Sequence, residues 1–177
     1  LMVLGALLTL PLAYLAANAW QQAHAQIERT EAEIQGANVL EQLMATHALL
    51  SEHRALLAAA MHGDTRAAAV LAEQRTTVQK GLSQVDGAMQ AATRWSAADT
   101  GWPALRQAAL ALTQWPLGGD RAAASAAHQR LALAMREQML QVAERSGLLY
   151  DPEPLPYHQM DLLVERLPPL IERLGEV

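Results

Sequence analysis

Apolar residues along this chain recur three and four positions apart, the spacing of one face of a helix, and almost nowhere alternate with the two-residue period of a half-buried strand. The first stretch is the exception, because Leu1 to Trp20 carries no charge and is mostly Leu, Ala, Val and Met. At about 1.5 Å of rise per residue, twenty residues of helix cover roughly 30 Å, the hydrocarbon thickness of a bilayer. Residues 1–20 are therefore predicted to form a transmembrane helix, with Tyr14 and Trp20 suited to an interface. Residues 21–177 are predicted to form a helical-bundle domain. Past Trp20 one amphipathic helix is expected to run without a turn signal to His62-Gly63-Asp64. Counting heptads from Gly36, its seam falls on Leu40, Leu43, His47, Leu50, Arg54, Leu57 and Met61.

Asp64 can cap a second helix, with Ala67, Leu71, Gln74, Val78, Leu82, Val85 and Met89 on its seam and an end near Trp95. Pro103 suits the first turn of a shorter third helix carrying Leu105, Ala109, Leu112 and Trp115, which Pro116 and Gly118-Gly119 stop. Asp120 opens a fourth, with Ala124, His128, Leu131, Met135, Gln138 and Val142 in one stripe and an end at Ser146-Gly147. Three prolines between Tyr150 and Pro156 make a stiff connection. A fifth helix is predicted from Tyr157, with Met160, Leu163, Leu167, Leu170 and Leu174 on one face and a kink at Pro168-Pro169. Helices of this length joined by short turns predict an all-α, up-and-down helical bundle.

Composition sharpens this reading. About a fifth of the 177 residues are alanine, 4% are aromatic and none is phenylalanine, which favours helix and disfavours sheet. The net charge is −5, and the thirteen basic residues, all arginine except Lys80, are scattered singly, so no basic run could track a phosphate backbone. Nucleic acid is not an expected partner. The absence of cysteine excludes disulfides, thiolate metal sites and thiol catalysis. The chain also lacks a Gly-rich phosphate loop, a nucleophile elbow and carboxylates at acid–base spacing, so a non-enzyme without a cofactor or metal is expected.

Several short motifs, in order, are similar to those of a known family. Glu33-Ile34-Gln35-Gly36, His53-Arg54 and His62-Gly63-Asp64 resemble the extracytoplasmic helical sensor regions of bacterial methyl-accepting chemotaxis proteins. Ser146 to Glu153, followed by Tyr157, Met160-Asp161-Leu162 and Arg166-Leu167-Pro168, looks like the stretch preceding the second membrane span of those receptors. Ala55 and Pro156 depart from the pattern, which has glycine after the His-Arg pair and a small polar residue before the tyrosine. The resemblance implies a sensory input module in the bacterial inner membrane, with residues after about 20 in the periplasm. It also implies use as a homodimer and an output domain outside this sequence, and similar sensor regions are also joined to histidine kinases and diguanylate cyclases. Leu1 stands without the basic residues that precede such a segment, so the sequence is expected to be a fragment, and the receptor reading expects a second span just after Val177. The alternative is a secreted helical-bundle binding protein whose leader is cleaved at Ala17-Asn18-Ala19 or Ala23-His24-Ala25.

The ligand-binding residues expected are His53, Arg54, Tyr157 and Asp161. Arg54 falls on the predicted seam, where a guanidinium needs a partner. Either it pairs with a carboxylate such as Asp151, Asp161 or Glu144, or it receives a small anionic ligand, free or delivered by a ligand-carrying protein. His47 and His53 are six residues apart and fall on different helix faces, with His128 on the fourth seam. They read as core or surface histidines rather than as metal ligands, and Met61, Met89, Met135 and Met139 read as core filling. Trp95, Trp102 and Trp115 are expected together at one bundle end.

Overall fold

A computed structural model describes residues 2–92 and 101–150, with side chains from residue 11 onward within the first stretch and through residue 149 in the second. Every regular element among them is helical. They are α1 (Met2–Met61), α2 (Thr65–Ala91), α3 (Trp102–Thr113) and α4 (Arg121–Ser146), followed by a single 3₁₀ turn at Leu148–Tyr150. The order is up, down, up, down. Helix α1 packs against α2 on one side and α4 on the other, while α3 closes the square against α2 and α4. The predicted fifth helix and the proline-rich connection before it lie outside the described residues, as does Trp95.

The turns form where local chemistry requires them. Asp64 accepts the backbone N–H groups of Arg66 and Ala67, and Asp120 those of Ala122 and Ala123, so each caps a helix through one carboxylate oxygen. Gly63 and Gly147 adopt φ of +95° and +86°, ending α1 and α4 in the left-handed region that glycine occupies without a Cβ penalty. Pro103 sits in the first turn of α3.

The seams predicted for α2 and α4 are buried at every position named, with Gly81, Ala88, Met139, Ala143 and Ser146 added. Helix α1 differs. Its most deeply covered line is Gly36, Val39, Leu43, Thr46, Leu50, His53, Leu57 and Ala60, so alternate positions fall one residue earlier than expected. Leu40 and His47 are also buried because α2 and α4 cover α1 from two sides, but Arg54 and Met61 are only half-buried. The main core joins Leu43, Leu82, Val85, Met89, Trp102, Met135 and Met139, and a small satellite of Leu57, Leu71 and Ala124 lies toward the turn that links α1 and α2. Trp102 and Trp115 stand at opposite ends of α3 rather than together, because the helix between them separates them by about 20 Å.

Residues 11–31 of α1 are all exposed, and Ala32 is the first of its described side chains to be buried. The helix therefore projects beyond the bundle. Among the described residues no helix is long and apolar enough to cross a membrane. The membrane-crossing helix expected over residues 1–20 is not supported there, since side chains are described only from Pro11 onward and Gln21, Gln22 and His24 follow Trp20 within about one turn.

Candidate functional site

Two histidines meet at the centre of the bundle. His53 on α1 and His128 on α4 are 0% and 5% exposed, and His53 Nδ1 lies 3.3 Å from His128 Nε2 with the rings stacked at a centroid separation of 5.6 Å. The hydrogen bonds fix the tautomers of the neutral pair. His128 Nδ1 lies 3.0 Å from the carbonyl oxygen of Ala124, which can only accept, so Nδ1 carries the proton and Nε2 is the acceptor. His53 must then donate from Nδ1. Its Nε2 is left as a buried lone pair without a partner among the described residues.

Electrostatics keeps this pair neutral. Burial lowers the pKa of His53 from the usual 6.5 to about 4, and the charges that His128 and Arg75 would place beside it push in the same direction. Burial also lowers the pKa of His128. The hydrogen bond to Ala124 opposes that shift and the Arg54 guanidinium adds to it.

Next to the pair, a cavity of about 320 Å³ opens between the C-terminal end of α1 and the N-terminal end of α4. Arg54, His62, Arg121 and Ser125 supply its polar wall, and Leu57 and Met61 its apolar one. A smaller cavity beside His47, Ser51 and Arg54 has room for about 20 Å³. On the far side of α4 a larger, mostly apolar groove of about 660 Å³ runs along α3, between Leu112, Trp115, Leu131 and Gln138.

Of the four expected ligand-binding residues, His53 and Arg54 are brought to this region and Tyr157 and Asp161 lie outside the described residues. His53 is a buried core residue bonded to His128 and does not line the 320 Å³ cavity. Arg54 does line it. Glu144 cannot be the partner of Arg54: Arg54 shares a cavity wall with His128, and sixteen further residues of α4 carry Glu144 about 24 Å away. Asp151, the other carboxylate considered for Arg54, also lies outside the described residues. Sequence reasoning missed Arg121 and Ser125, whose positions seven and three residues before His128 put them on its helix face. The stripe through His128 was the available signal.

Comparison of the chain with protein-family models, curated proteins and solved structures returns no match. The reading of the site rests on its own geometry.

Proposed function

We propose that this chain is the extracytoplasmic sensory input region of a transmembrane chemoreceptor or a related signal-transduction receptor. Ligand binding would displace one helix against its neighbours and pass that displacement to a cytoplasmic output domain. The supporting observation is the shape of α1. One unbroken helix of 60 residues forms a wall of the binding bundle and extends beyond it as an exposed rod. A helix is stiff along its axis, so a shift of α1 against α4 at the cavity moves the far end of the rod as well. Coupling of about 1–3 kcal/mol between the two arrangements suffices for signalling.

The rod also carries a seam for a second copy. Ala16, Trp20, Ala23, Ile27, Thr30, Ile34 and Ala37 follow one another at spacings of four and three, and all are exposed, with Trp20 at 74%, Ile27 at 56% and Ile34 at 64%. Such a 4-3 repeat is the pattern of a two-stranded coiled coil. It lies opposite the face that Ala32, Gly36 and Val39 turn to the bundle, so pairing would not compete with the fold. A parallel pairing sets Gln26 against Glu31 and Glu33 against Asn38, with no like charges opposed.

These 177 residues hold no cysteine, so an introduced one is the only thiol in this region. Ile27→Cys in the protein expressed with its native flanking sequence should give a disulfide-linked dimer in the membrane fraction, and Glu28→Cys on the adjacent face should give much less. Protease added outside the inner membrane should cleave the region after Trp20. A monomeric product released without a membrane anchor would overturn this reading and favour the secreted binding protein.

A further inference from the structure

We propose that the groove between α3 and α4 binds one uncharged, chain-shaped amphiphile, a medium-length alkyl chain ending in an oxygen that accepts a hydrogen bond. The site is separate from the cavity at the end of α1, and it stands whether or not the chain is the input region of a receptor. Its shape comes from alanine. Ala104, Ala108 and Ala111 on the α3 wall lie across from Ala127 and Ala134 on the α4 wall, and side chains of one carbon do not fill the space between two helices. From Gly101 to Trp115 on one side, and from Ala127 to Gln141 on the other, the groove follows about 21 Å of helix. Its volume of about 660 Å³ lies within the usual range of ligand sites, but spread over that length it leaves a slot narrower than the roughly 10 Å diameter of a helix. An extended chain fits such a slot, whereas a helix or a fused-ring system does not.

A polar anchor stands near one end. Gln138 on α4 lines the groove and is 4% exposed, yet its Nε2 has no hydrogen-bond partner among the described residues. Gln74, also buried, shows the ordinary solution, since its Nε2 donates to the Leu49 carbonyl oxygen and to Glu52. A buried amide N–H without an acceptor is unfavourable, so an oxygen brought by a ligand supplies Gln138 with what the fold does not. The charges on the wall favour a neutral head. Glu137 lines the groove beside Gln138, so a carboxylate seated there would meet a like charge, while Arg130 is about 12 Å further along α4. An ammonium head would lack the acceptor. At the other end the Trp115 ring, with Leu112 and Leu131, offers apolar surface to the tail of the chain.

Calorimetric titration of the purified chain in detergent-free buffer tests this, with 1-hexanol, 1-octanol, 1-decanol and decanoate as probes. 1-Decanol should bind saturably at one site per chain, and affinity should rise about threefold to fourfold per methylene from hexanol to decanol. Decanoate should bind about tenfold more weakly than 1-decanol, because its charge must be desolvated beside Glu137. Ala108→Leu, at an exposed position on the groove wall, should weaken 1-decanol about tenfold or more by filling the slot, while Gln107→Leu, exposed but off that wall, should bind like wild type. Gln138→Met, close in volume but without the amide, should weaken 1-decanol about fivefold and leave the unliganded melting temperature equal or higher, since it removes an orphaned donor rather than a bond. No saturable binding of 1-decanol up to its solubility limit, equal affinity in Ala108→Leu or in Gln138→Met, or tighter binding of decanoate would each overturn the proposal. Binding that emerges only after removal of residues 151–177 would overturn it as well and assign the groove to that segment of the chain. Cross-linking through Ile27→Cys reads the receptor proposal independently, so either can fail without the other.

Discussion

His53 shows how a single side chain can be legible in type and hidden in role. Histidine in an amphipathic helix is ordinarily exposed or partnered, and from sequence its neighbour Arg54 occupied the seam. The three-dimensional packing instead places His53 at full burial against His128, 75 residues away in the chain, a pairing that no local spacing encodes. Its pKa has a stability consequence with a definite sign. The folded-state value of about 4 lies below the unfolded value near 6.5, so the folded protein resists a proton that the unfolded chain accepts. Stability is therefore full above pH 6.5 and falls as the pH drops toward 4, by up to roughly 3 kcal/mol. Thermal melting of wild type from pH 7.5 to pH 4 should show this decline, and the double variant His53→Leu/His128→Leu should flatten it. At neutral pH His53→Leu alone should cost about 1–3 kcal/mol, because it leaves His128 Nε2 without its donor, and the double variant should cost less than the sum of the two single changes. Strict additivity across the cycle would show that the 3.3 Å contact contributes nothing.

At the scale of elements, the sequence located helices well because their limits are local. Asp64, Gly63, Pro103, Asp120 and Gly147 punctuate the chain with caps and stops whose chemistry acts over three or four residues. The rotation of α1 was less legible. Leu40 and Met61 drew the predicted line toward themselves, whereas Thr46 and His53, polar in sequence, occupy the centre because α2 and α4 approach from both sides. Docking of α3 is likewise tertiary: Asp86 on α2 accepts from Trp102 Nε1 at 2.7 Å and from Arg106 Nε at 2.8 Å, tying the start of α3 to α2. Glycine substitutions separate local from tertiary effects within these helices. A Cβ at Gly36 would overlap the Ser146 side chain where α1 meets α4, whereas one at Gly87 would meet nothing within 4 Å. Gly87→Ala should raise stability by about 0.5–1 kcal/mol through helix propensity, and Gly36→Ala should lower it by about 1–3 kcal/mol despite the same propensity gain. Urea denaturation of both variants checks the opposite signs, and adding Ser146→Gly to Gly36→Ala should restore most of the loss.

For the molecule as a whole, the bundle and the rod are energetically separable. The core begins at Ala32, and residues 11–31 bury no side chain in it. Removing residues before Ala32 should leave the melting temperature of the isolated bundle nearly unchanged while abolishing any dependence of melting on protein concentration, since the proposed dimer seam lies mostly in the removed segment. A large drop in the monomer's stability would show that the rod packs on the bundle after all. The sequence by itself determined that the described residues are helical, where α1 ends and where α2 and α4 begin, and which faces of α2 and α4 are buried, because capping, propensity and the 3.6-residue period act over short distances; the end of α2, expected near Trp95, comes earlier, at Ala91. Only the tertiary structure decided which residue of α1 faces the centre, that His53 meets His128, and that Arg54 and Arg121 share one cavity. Those relations depend on how three helices distant in sequence rotate against one another, and that rotation is set by the sum of many contacts rather than by any one segment's pattern.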